Sequence, residues 1–371
     1  MRARSSEKGH FYKISGNCSP ESLTKIDKGY INAVRSISIP IAINAIKLAK
    51  MTFKIAAISF LFIILTLAVS NPTQRLRGNL TKSIAQNSNS QDKKSMQTIL
   101  DDSTKLEKLA GDFQFIEGPI WHPDGFLLFS DIPANTIYKF ASNQQLEIFR
   151  RPSGKANGNT LDKENRLITA EHSNRRISRT ETDGKVIELV AKYEGKRLNS
   201  PNDLVVKSDG SIYFTDPPYG INKKQEELGF YGVYRLTPDG KLTLLVKDIV
   251  LPNGIAFSPD EQKLYVNNSE AGYIAVFDVK PDGNVTNQRV FAELKDASQS
   301  GVPDGLKVDV EGNVYSTGPG GVWIFSPSGK LLGKISVPET ATNLAWGDRD
   351  YKTLYITGSK SLYRIRLKNR L

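Results

Sequence analysis

The chain has 371 residues, with 50 Lys and Arg against 39 Asp and Glu and a formal net charge of +11. Ten Lys/Arg and three Asp/Glu stand between Met1 and Lys54, a net of +7, which leaves +4 for residues 55–371. No basic run interleaved with aromatics follows that leader, so a nucleic-acid partner is not expected.

In chain order, residues 1–50 are a basic extension, and Met51 opens a segment with the layout of a signal peptide. Lys54 is followed by the uncharged apolar run Ile55–Ser70, short for a membrane span and suited to a signal-peptide core, with Ala68 and Ser70 as small residues at a cleavage site. Residues 51–70 are therefore expected to be a signal peptide, or a membrane anchor if uncleaved. On this reading residues 1–50 are an upstream extension created by a start-codon choice, and the protein is secreted or periplasmic. An uncleaved anchor would hold the folded domain outside the cytoplasm and be the chain's one membrane contact.

The only cysteine, Cys18, precedes this segment, so a mature chain needs no disulfide and has no thiolate metal ligand. Residues 71–104 are polar and read as a flexible linker. Residues 105–371 remain for one domain, with ample length for a large core.

That domain is repetitive. Strand-like runs starting at Phe126, Leu167, Ile212, Leu264, Val314 and Leu354 are spaced by 41, 45, 52, 50 and 40 residues. Multi-strand units of this period predict an all-β fold, a six-bladed β-propeller. Each unit also carries an oxygen-bearing residue eight positions before a turn residue. The pairs are Glu117 with Gly125, Asn157 with Asn165, Asn202 with Gly210, Asn253 with Glu261, Asp304 with Gly312 and Asn343 with Tyr351.

The first strand of each blade lines the channel, so residues at one register of it form a ring around the axis. Six side-chain oxygens converging there would repel one another unless a cation sat among them, and an axial metal site is expected. An isolated Asn-Gly, as at 157 and 253, is ordinarily a hairpin turn, and Asp304 alone would be a turn residue in P-D-G. The shared register argues for a site instead.

The strings E-G-P-I-W, N-S-P-N-D-L-V-V-K-S-D-G-S-I-Y-F-T-D-P-P-Y-G, L-P-N-G-I-A-F-S-P-D-E-Q-K-L-Y-V and P-D-G-L-K-V-D-V-E-G-N-V-Y-S-T-G carry a resemblance. They are similar to the gluconolactonase, senescence-marker-protein and luciferin-regenerating-enzyme family over about residues 105–370, and most to its bacterial gluconolactonase branch. The resemblance implies a six-bladed propeller with one catalytic divalent metal. It implies Glu117, Asn253 and Asp304 as metal ligands, with Asp304 also the general base or nucleophile. Asn202 matches a position that is a ligand in some members and a substrate contact in others. Arg197 stands near where some members place a substrate-binding arginine, though Ser200 and Pro201 intervene before Asn202.

The donor chemistry is consistent with this. Two carboxylates and two carboxamides suit a hard cation, calcium first, with magnesium, manganese or zinc as alternatives. Such an ion could polarise a lactone carbonyl while Asp304 takes the proton of the attacking water. His172 and Asn157 are further candidate substrate contacts, and Asp203, Asp216 and Tyr219 candidates for the pocket rim or its support. No Ser-His-Asp pattern, G-x-S-x-G elbow or Gly-rich phosphate loop is present. The expected function is hydrolysis of a small sugar lactone, gluconolactone to gluconate in type. The alternatives are a related ester, aryl ester or organophosphate hydrolase, and a non-catalytic ligand-binding propeller. The oligomeric state is left open.

Overall fold

The structure, a computed structural model, describes residues 96–100, 103–141, 143–368 and 370. The expected extension at 1–50, the signal or anchor at 51–70 and most of the linker lie outside the described residues. Of that linker, residues 96–100 do not form a tether. They include a helical turn whose Ile99 is fully buried against a cluster containing Tyr315, Trp346 and Ile365, because its side chain and those of Met96 and Leu100 are apolar. No helix among the described residues is long and apolar enough to cross a membrane.

Six four-stranded antiparallel sheets form the blades. Their inner strands are Ile116–His122, Ala156–Leu161, Leu204–Val206, Pro252–Phe257, Leu306–Val308 and Ala341–Gly347. Blades 1 to 5 run outward in sequence order. The sixth combines the last three strands with Glu107–Ala110, which pairs antiparallel with Leu362–Arg366 as its outermost strand. The two ends of the domain thereby meet in one blade.

All six turn residues marked by the eight-residue spacing have positive φ: Gly125 90°, Asn165 59°, Gly210 87°, Glu261 55°, Gly312 82° and Tyr351 51°. Each donates its N–H to the carbonyl three residues earlier. Three of the six are not glycine, so the blade register holds them in a conformation costing about 1 kcal/mol each.

Adjacent blades are joined by aromatic pairs set at equivalent positions. A tyrosine on the second strand of one blade meets an aromatic on the inner strand of the next: Tyr213 with Phe257 at 4.8 Å, Tyr315 with Trp346 at 4.8 Å and Tyr355 with Trp121 at 5.6 Å between ring centroids. Trp346 therefore packs across the blade boundary on Tyr315, rather than on Tyr355 of its own sheet. Trp323 stacks on Phe325 at 6.2 Å, within blade 5.

Candidate active site

The ring residues lie at or just before the starts of the inner strands, where the sheets are irregular. The pairing of the inner strand with its neighbour shifts between Glu117 and Ile120, Ala156 and Asn159, Pro252 and Ile255, and Ala341 and Asn343. Asn202 and Asp304 each precede their strand by two residues. Such bulges free a residue from the pleat and re-aim its side chain, here toward the axis.

Glycines complete the construction. Glu117, Asn157, Asn253 and Asp304 are each followed by one. Gly158 N donates to Asn202 O at 2.8 Å, Gly254 N to Asp304 O at 2.8 Å and Gly305 N to Thr342 O at 2.8 Å. A Cβ on Gly254 would stand 2.2 Å from Asp304 O, and one on Gly305 2.1 Å from the Asn343 side chain. The Asn-Gly pairs are close inter-blade approaches, a role the sequence reading did not assign to them.

Five of the six expected ring residues are buried, none of them more than 5% exposed, while Asp304 is partly exposed, and neighbours around the ring bond to one another. Asn157 Nδ2 donates to Asn202 Oδ1, and Asn202 Nδ2 donates to Asn253 Oδ1 at 2.5 Å. Glu117 Oε2 accepts from its neighbour Gly118 N at 2.5 Å and from Asn343 Nδ2 at 2.9 Å. One expectation needs correction, because the ring is not six oxygens. Asn343 Oδ1 accepts from Leu344 N at 2.8 Å, so this residue presents its nitrogen to Glu117 and to Asp203.

Asp203, itself buried, adds a third carboxylate, reached by Asn343 Nδ2 at 3.3 Å and by Lys307 Nζ at 3.9 Å. Burial, then Asp203, push Glu117 up to about 7, against hydrogen bonds from Asn343 and Gly118. Burial, then Glu117 and Asp203, hold Asp304 well above the ordinary carboxylate range. Like charges have been packed together with Lys307 in opposition, the arrangement expected where chemistry rather than stability governs side-chain choice.

His172 is buried beside the ring, its Nε2 3.3 Å from both Asn157 Nδ2 and Asn202 Oδ1. Burial lowers it to about 4, so at neutral pH it is an uncharged hydrogen-bonding group. Arg197 is not brought to the ring. It is exposed, its N–H donates to Glu227 Oε2 at 2.9 Å and its guanidinium to Asn174 O at 3.0 Å.

Tyr219 does reach the site, from the loop between the second and third strands of blade 3. Asn253 Nδ2 donates to its hydroxyl at 3.5 Å and to Ser269 Oγ at 3.1 Å. Lys307 was not singled out from the sequence, since K-V-D-V reads there as an ordinary strand.

Asp216 supports this wall from behind. Its Oδ2 accepts from Asn199 N at 2.8 Å and Asn199 Nδ2 at 3.2 Å, tying the approach to Asn202 to the approach to Tyr219. It is fully buried, and burial raises it to about 7 despite these bonds and the nearby Arg175. The folded form thus keeps a proton that the unfolded chain releases near pH 4, and stability falls as pH rises from about 4 to about 7. Asp216→Asn is expected to flatten that slope by an amount on the order of 4 kcal/mol, read as the difference between denaturant curves of variant and parent at pH 4.5 and 8. Parallel curves for the two proteins would refute the assignment.

Fold and ring together define the class: a six-bladed β-propeller with a buried carboxylate and carboxamide site on its axis. The family model described as "SMP-30/Gluconolactonase/LRE-like region" matches residues 115–360. The chain belongs to this family. It is 37% identical over 300 residues to the gluconolactonase of Zymomonas mobilis, covering 74% of this chain and 84% of that one. A solved gluconolactonase from Xanthomonas campestris is 37% identical with a TM-score of 0.69, covering 74% of this chain and 92% of the other. The solved regucalcin of Agrobacterium tumefaciens, described as calcium-binding, is 19% identical at a TM-score of 0.62, a likeness of fold.

Proposed function

We propose that this protein hydrolyses a sugar lactone, of the gluconolactone to gluconate type, with Asp304 as general base. The observation that carries the reading is the meeting of Asp304 with the buried Glu117 on the axis, beside the oxygens of Asn202 and Asn253. A carboxyl raised by the charges of its neighbours, as Asp304 is by Glu117 and Asp203, has two resolutions, a shared proton or a cation. Among the described residues no three His, Cys, Asp or Glu side chains form a metal-binding group by themselves, so carboxamides would have to complete the donor set. The oxygens of Glu117, Asn202, Asn253 and Asp304 fit that need and suit a hard divalent ion, calcium first, with magnesium, manganese or zinc also served by oxygen donors. Bound there, the ion would polarise the lactone carbonyl and stabilise the oxyanion that develops on attack.

The chain's own groups supply the rest. Asp304 takes the proton of the attacking water. The amide hydrogens of Asn157 and Asn343 hold Asn202 and Glu117 in place, and neutral His172 offers a hydrogen bond to a substrate hydroxyl. Glucono-1,5-lactone hydrolysis by the full chain tests the reading, with metal removed by chelator and then restored. Activity should vanish and return with one of the four ions, and Glu117→Ala should abolish it while leaving a folded propeller. Metal binding without turnover of any lactone would refute it.

A further inference from the structure

Lys155 stands where the wall of blade 2 meets the site. In the antiparallel ladder between the first two strands of that blade, Ala156 is paired with Glu171. One step further in the same register Lys155 is opposite His172, and His172 N donates to Lys155 O at 3.1 Å. Asn157 of the ring follows two positions later on the inner strand. The turn carrying Lys155 is held from several sides. Asn135 Oδ1 accepts from Lys155 N at 2.7 Å and from Ser153 N at 3.1 Å, and Ser153 Oγ accepts from Ala156 N at 3.1 Å. Ser173 N donates to Gly154 O at 3.0 Å. Lys155 itself has φ 50°, a left-handed conformation that glycine adopts more readily than lysine.

The backbone is thus fixed, whereas the side chain is exposed. Among the described residues no carboxylate lies within 4.0 Å of its ammonium. The neighbouring acid, Glu171, is taken up by Arg150 at 3.2 Å, Arg176 at 2.8 Å and Ser178 at 2.5 Å. Other cations near the site are committed as well. Arg175 Nε donates to Leu198 O at 2.6 Å, the Arg197 guanidinium donates to Asn174 O at 3.0 Å, and Lys307 stands 3.9 Å from Asp203. The His172 ring feels the Lys155 charge: burial lowers that imidazole, the bond to Asn202 opposes this, and Lys155 lowers it further. A positive charge without a counter-charge among the described residues therefore stands at the mouth of the site.

In a circle of six, blade 2 lies across the axis from blade 5, whose inner strand follows Asp304. A lactone whose carbonyl lies at Asp304 has blade 2 facing its other end. Resting on the lactonase reading, we propose that the preferred substrate is the lactone of a sugar diacid, whose second, ionised carboxylate is bound by Lys155. One ammonium matches one carboxylate. A phosphate monoester would bring about two charges, and the nearby Arg150 and Arg176 are already held by Glu171.

Glucaro-1,4-lactone and glucono-1,4-lactone differ at one carbon, a carboxylate against a hydroxymethyl group, and so isolate this contact. With metal restored, the parent should favour the diacid lactone by about 10-fold in kcat/KM, the scale of one charge-assisted hydrogen bond. The preference should lie in KM, because the carboxylate is remote from the reacting carbon and is held equally before and during attack. Lys155→Met should reduce the ratio to about 1, and Lys155→Glu should invert it through like-charge repulsion. Both variants keep a non-glycine side chain at the same exposed position, so folding is not the variable. A ratio in Lys155→Met equal to the parent's, or a parent that favours the neutral lactone, would overturn the proposal while leaving the lactonase reading intact. A parent that opens neither of these nor glucono-1,5-lactone would remove the reading itself, and this proposal with it.

Discussion

Replacing Asp304 by Asn is expected to lower turnover of glucono-1,5-lactone by about 1000-fold, the scale of a lost general base. The same change should make the chelator-treated protein more stable, by about 2 kcal/mol at pH 8. The opposite signs have one cause. Asp304 stands beside Glu117 and Asp203, and in the folded state desolvation and their charges hold its pKa well above that of the unfolded chain. Its stabilising proton is present at low pH and lost as pH rises. As pH rises toward 8 the metal-free parent therefore gains a destabilising charge that the asparagine variant lacks. The gain should shrink as pH falls toward 5 and the parent's carboxyl recovers its proton. Melting curves at the two pH values beside a turnover assay decide the matter. A variant that is both inactive and less stable without metal would show Asp304 to be a structural partner instead.

Gly254→Ala should be among the most damaging single-methyl changes in the domain, at a cost of at least about 4 kcal/mol. The added Cβ would lie 2.2 Å from Asp304 O, 2.7 Å from Leu306 N and 2.9 Å from Gly305 C, all backbone atoms of the next blade. Backbone cannot turn aside as a flexible side chain can. Relief requires blades 4 and 5 to part at the axis, which breaks the Gly254 N to Asp304 O bond and displaces Asp304 itself. A fall in melting temperature on the order of 10 °C, with loss of activity in the protein that remains folded, is the expected pair of results. A variant within about 1 kcal/mol of the parent would mean that the blades are not held at this distance.

The strand repeat was legible because its signals are local. Alternating apolar runs and turns return every 40 to 52 residues, and a turn closes through a bond between residues three apart. The same spacing placed Glu117, Asn157, Asn202, Asn253, Asp304 and Asn343 at one register, and the structure brings those six together. By contrast, the direction in which each carboxamide points depends on partners far away in the chain. Asn343 turns its nitrogen to Glu117 across 226 positions, and no local pattern records that.

By itself the sequence determined the blade count, the turn positions and which side chains stand on the axis, since all three follow from local periodicity. Tertiary structure alone decided that Glu107–Ala110 closes the sixth blade and that residues 96–100 pack on the domain. It also decided that the glycines after the ring residues are contacts between blades, and that Asp203, Lys307 and Tyr219 bear on ring residues of other blades. The physical reason is common to all of these. Blade packing joins residues with no fixed separation in sequence, so its consequences exist only once the circle has closed.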